Sequence, residues 1–132
     1  MPSLKLEELR VYQRAEELSD IVWNTATEWK LFAKNTIGKQ LVRAADSIGA
    51  NIAEGHGRGS FADNKRFVRI ARGSLYEVRH FLRRADKRGL VSMEAKKQLQ
   101  PLIKELSPTI NAYLKSIGRS PVSDDKLETN DK

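Results

Sequence analysis

One stretch, Ser60 to Gly89, sets the terms for the rest of the chain. Advancing about 100° per residue places Phe67, Ala71, Ser74, Val78, Phe81, Leu82 and Ala85 within one narrow stripe. That spacing predicts a single helix whose stripe faces a core. The same wheel puts Lys65, Arg69, Arg72, Tyr76, Arg79, Arg83 and Lys87 on the opposite side, in a row about 33 Å long. Over residues 61–90, nine Lys or Arg stand against Asp63, Glu77 and Asp86, a balance of +6 within a chain total of +7. A face built only for solubility mixes the two signs, so the row points to a polyanionic partner. A merely solvated helix face is the alternative.

The other segments repeat the helical period. From Glu7 to about Trp29, Val11, Ala15, Leu18, Val22, Thr25 and Trp29 recur at steps of four and three, a first helix with one seam. Tyr12 and Trp23 lie together well away from that seam, either as the edge of a wide stripe or as a contact with another subunit. Residues 1–30 carry a net −2, which suits a meeting with the basic helix.

Asn35 or Thr36 is the expected cap of a second helix running to about Gly55, with Ile37, Leu41, Ala44, Ala45, Ile48 and Ile52 as its core face. Beside that face runs a polar ladder of Gln40, Arg43, Ser47, Asn51 and Glu54. Half-buried polar groups need partners, so Asn51 and Glu54 are expected to be tied to the next loop or to the third helix. The small residues Gly49, Ala50 and Ala53 leave room for another backbone, a second surface suited to self-association.

Glu54 to Ser60 reads EGHGRGS: glycines to end one helix and turn, then Ser60 and Asp63 in the spacing of a capping box. Arg58 and His56 would suit a phosphate beside such a turn. No Gly-Lys-Ser/Thr ending follows and no strand precedes, so this is not a nucleotide-hydrolysing loop. Lys87, Arg88 and Gly89 close the third helix, and Ser92 caps a fourth with the seam Leu99, Ile103, Leu106, Ile110, Tyr113 and Ile117. Pro101 is expected at a boundary or kink, and Pro108 at a bend.

Four amphipathic segments with short links in 132 residues specify an all-α, up-down-up-down four-helix bundle over residues 1–118. Residues 119–132, ending SDDKLETNDK, have too little apolar surface to offset ordering and read as a disordered polar tail.

Absences narrow the chemistry. There is no cysteine, which excludes disulfides and thiolate nucleophiles. His56 and His80 lie on different elements with no second histidine beside either and no set of three ligands, so no metal or other cofactor is expected. Asp46, Glu54 and Glu77 form no carboxylate pair; Glu77 reads as a structural acceptor, and no enzyme is expected. Met1 to Arg10 has neither a basic head nor an apolar signal core, and no run approaches a membrane span, so the expected location is the cytoplasm, away from membranes.

QLVRAADSIGANIAEGHGRGS followed by RFVRIARGSLYEV resembles the signature of bacterial four-helix-bundle proteins encoded in intervening sequences of large-subunit ribosomal RNA genes. Arg43, Ser47, Asn51 and Glu54, then Gly73, Ser74 and Glu77, stand where that pattern expects them. LEELRVYQRAEEL resembles the first helix of that family, with Tyr12 where Trp is more usual, so the likeness covers about residues 5–117. The resemblance implies a left-handed bundle, a homopentameric ring and no catalytic activity. It extends in fold to the accessory variability proteins of diversity-generating retroelements, basic pentamers that bind nucleic acid and a reverse transcriptase.

The expected function is binding of nucleic acid, structured RNA above all. Arg58, Lys65, Arg69, Arg72, Arg79, Arg83 and Lys87 would engage phosphates, with Tyr76 available to stack. Docking an accessory scaffold onto a reverse transcriptase is the alternative.

Overall fold

The structure, a computed structural model, describes residues 4–119. A short 3-10 turn, Leu6–Glu8, leads into α1 (Arg10–Ala26); α2 spans Lys39–His56, α3 Phe61–Lys87 and α4 Met93–Ser116. Each helix packs on its chain neighbours, and α4 closes the ring against α1. The result is an all-α, up-down-up-down bundle with no strand among the described residues. The tail expected over 119–132 lies, beyond Arg119, outside the described residues.

The seams meet in one core. Leu18, Leu41, Ile48, Ile52, Leu99, Leu106 and Ile110 are its largest fully buried side chains. Each contributes about 1.5–3 kcal/mol of burial. In α1 the seam ends on Ala26 rather than Thr25, which is half-buried and donates its hydroxyl to the Ile21 carbonyl at 2.8 Å. Trp29 is buried from the connection that follows α1. In α3 Val68 and Leu75 join Ala71, Ser74, Val78 and Ala85 in the core, while Phe67, Phe81 and Leu82 sit half-buried at its margins. The stripe is therefore wider than the spacing suggested, because α3 packs against both α2 and α4.

The start of α2 departs from expectation. Helical structure begins early, with one α turn at Leu31–Ala33 and a π segment at Lys34–Gly38, and neither Asn35 nor Thr36 caps it. Thr36 instead donates to the Phe32 carbonyl at 2.7 Å. The wider π turn carries Ile37 and Gly38 inward together. A Cβ on Gly38 would stand 3.2 Å from the Ala33 carbonyl and 3.4 Å from the Trp29 ring, so a small residue lets the chain close over Trp29.

Caps set the ends of α3 and α4. Ser60 Oγ accepts the Asp63 amide at 3.1 Å, and Ser92 Oγ accepts the Ala95 amide at 3.1 Å. Gly89, at φ 75°, turns the chain out of α3, and Leu90 N–H reaches back to the Ala85 carbonyl at 3.0 Å. Pro101 and Pro108 neither end nor split α4. Both lie on its exposed side, where a missing N–H deprives only surface carbonyls of a partner.

Candidate nucleic-acid interface

α3 is an uninterrupted helix of 27 residues, about 40 Å long, and its outer face carries the cationic row. Arg69, Arg79, Arg83 and Lys87 are exposed and Lys65 is half-buried. None of these five forms an ion pair with any described residue. Arg72 leans toward α4 and donates to Asn111 Oδ1 at 3.1 Å, a neutral partner that leaves its charge in place. Tyr76 is 61% exposed, with the Arg79 guanidinium 5.4 Å from its ring centre.

Two of the three acids of this stretch are paired with cations outside the row. Asp63 pairs with Arg66 at 3.5 Å, Asp86 takes Lys96 of α4 at 2.8 Å, and Glu77 is exposed with no ion pair among the described residues. The row thus keeps its full positive charge at the surface. α1 does not neutralise it, contrary to the expectation from its acidic balance. α1 packs against α2 and α4, and its pairs across helices run from Arg10 and Arg14 to Glu105.

Arg58, expected among the phosphate contacts, lies off the row in the α2–α3 turn. Its guanidinium lies 3.3 Å from Glu54 and 3.9 Å from Asp63, with Phe67 5.2 Å away, so it ties the α2–α3 turn together. Arg58 stays exposed, and pairs of this kind are weak, so the two acids offset its charge without removing it from the surface.

The polar ladder resolves into separate contacts. Ser47 Oγ meets Ser74 Oγ at 2.6 Å across α2 and α3, and Ser74 also donates to the Ile70 carbonyl at 3.2 Å. Asn51, expected to reach the loop or α3, instead donates to the Ser47 carbonyl of its own helix at 2.8 Å. Arg43 is exposed, and Glu77, read as a structural acceptor, faces solvent unbonded.

The surfaces suggested for self-association divide. Gly49 is buried within the chain, because the Tyr12 ring covers it: a Cβ there would lie 3.6 Å from that ring. Tyr12 is half-buried, and burial, then Glu16, push its phenol pKa upward. Trp23 is 56% exposed, and together with Ala50 and Val42 it borders a groove of about 620 Å³ between α1 and α2. Ala53 is half-buried.

A second basic feature was not apparent in the sequence. The start of α2 and the end of α3 enclose a cleft of about 870 Å³ lined by Phe32, Lys39, Arg43, His80, Arg84 and Arg88 among others, with no carboxylate in its wall. Arg84 and Arg88 lie one helical step to the side of the row, and their i, i+4 spacing was the available signal. Phe32, 82% exposed, lies in the helical turn Leu31–Ala33.

Among the described residues no helix is long and apolar enough to cross a membrane, and no three His, Asp or Glu gather as a metal site.

Comparison with known proteins places this geometry. No curated protein matches the chain. A crystal structure of a protein of unknown function from the S23 ribosomal protein family of Bacteroides thetaiotaomicron superimposes with a TM-score of 0.71. It is 24% identical and covers 80% of this chain and 98% of its own, a likeness of fold. The profile described as 23S rRNA-intervening sequence protein matches residues 7–112, and the chain belongs to that family.

Proposed function

We propose that this protein is a non-enzymatic nucleic-acid-binding module of the cytoplasm, acting on structured RNA through the outer face of α3 as a ring of like copies. The observation that carries the reading is the set Lys65, Arg69, Arg79, Arg83 and Lys87, without ion pairs among the described residues, along one uninterrupted helix. Such a row contacts the phosphate backbone and reads shape more than sequence, with the exposed Tyr76 ring available for stacking. Ring assembly is supported by the exposed Trp23 beside the α1–α2 groove, an apolar surface with no cover inside one chain.

Five neutralised phosphates give a salt slope near −4.5 on a duplex, so a fourfold rise in salt weakens binding by on the order of 500-fold. Electrophoretic titration on a structured RNA and a DNA duplex measures it. Binding that is strong at low salt and lost in Arg69→Glu with Arg83→Glu is the expected result. No binding at low salt, or binding indifferent to that double substitution, overturns the reading.

A further inference from the structure

We infer that the cleft between the start of α2 and the end of α3 is a second site, taking one unpaired nucleotide of a bound RNA while the α3 row holds the adjoining duplex. The inference rests on the nucleic-acid reading and adds to it a place where a base is received.

Three observations converge on that occupant. Lys39, Arg43, Arg84 and Arg88 line one concavity without a carboxylate among them or in its wall, and none forms an ion pair with a described residue. Like charges held together at that density favour an anion of several negative charges. Phe32 lines the same cleft with 82% of its surface exposed, so its ring face is open to an incoming base. An aromatic face among cations is the combination that single-stranded nucleic acid engages, the base on the ring and the phosphates on the guanidinium groups. Finally, the cleft's volume of about 870 Å³ lies within the range of small-ligand sites, and Asn35 and Gln40 in its wall offer amides to a base edge.

Position links the two surfaces. His80 and Arg84 on α3, with Arg88 at its C-terminal cap, adjoin Arg79, Arg83 and Lys87, so a strand leaving a duplex on the row meets the cleft next. A metal ion finds no ligand set there. A duplex is too wide to enter a concavity of this volume, which leaves a splayed-out base as the part that fits.

The test compares two RNA probes, a blunt hairpin and the same hairpin with a five-nucleotide overhang carrying 2-aminopurine. The intact protein is expected to bind the overhang probe about tenfold more tightly than the blunt one, with 2-aminopurine fluorescence quenched. Phe32→Ala, at an exposed position, is expected to abolish both the preference and the quenching while leaving blunt-hairpin affinity unchanged. Arg84→Gln with Arg88→Gln is expected to reduce the preference at least threefold. Arg69→Glu with Arg83→Glu is expected to weaken both probes and keep their ratio.

Equal affinity for the two probes, or a preference that survives Phe32→Ala, overturns the cleft proposal and leaves the α3 reading standing. Failure to bind either probe at low salt removes both. An Asp/Glu-rich peptide that binds with the same dependence on Phe32, while the overhang gives no preference, assigns the cleft to an acidic protein segment and overturns the nucleotide.

Discussion

At the residue scale, the turn between α2 and α3 shows how closely two backbones approach. A Cβ on Gly55 would lie 2.6 Å from Asn64 Oδ1 and 3.0 Å from both the Asn64 carbonyl and the Phe67 Cβ. Those contacts include backbone, so something must move. Gly55→Ala is expected to destabilise the fold by about 1–3 kcal/mol, read as a fall in the urea midpoint at constant m-value. Asn64 Oδ1 is itself buried with no hydrogen-bond partner among the described residues. Asn64→Ala should therefore recover part of the loss in the Gly55→Ala background, a coupling that a double-mutant cycle measures. The Ser47–Ser74 pair nearby is a smaller term. One net hydroxyl bond of this kind contributes about 1 kcal/mol.

At the element scale, α3 carries the cationic row. Gly73 sits in its middle on the outer side, and a Cβ there would meet nothing within 4 Å among the described residues. Glycine in a helix interior costs roughly 0.5–1 kcal/mol relative to alanine, so Gly73→Ala should raise stability by about that amount in chemical denaturation. If stability rises while a native particle mass falls, the open space at Gly73 is filled by another copy. α3 was also the element easiest to read from sequence, because charge and hydrophobicity repeat with the same period over seven turns. The core face of α2 was equally plain: Ile37, Leu41, Ala44, Ala45, Ile48 and Ile52 are all buried. What periodicity could not convey was pairing. Arg58 looks like any other cation of the set until the turn folds Glu54 and Asp63 around it. Gly49 looks like an open notch until the Tyr12 ring lies on it. The π turn left no mark either, since it adds one residue to a helix whose apolar spacing continues on both sides. The cleft was hidden for the same reason, being assembled from residues 32–43 and 80–90 that meet only in three dimensions.

At the scale of the whole molecule, the bundle is closed by its first and last helices. Arg10 and Arg14 of α1 hold one oxygen of Glu105 on α4, at 2.7 and 2.9 Å. The Arg14 hydrogen bond, working against desolvation and aided by Arg10, keeps the Glu105 carboxyl below its ordinary value of 4.5. Folding therefore favours the ionised form, and the stabilisation is complete above the unfolded value and lost as pH falls through the folded one. Glu105→Gln should flatten the acid limb of a stability profile taken below pH 4.5 and leave its shape near neutrality unchanged. Circular dichroism melts across that window, compared between the two proteins, give the answer. The same closure fixes where the described chain begins and finishes. With α1 and α4 antiparallel neighbours, Leu4 and Arg119 emerge at one pole, and the Phe32 cleft opens at the other. Attachment at Leu4 or at Arg119 would thus leave the cleft on the side away from a support.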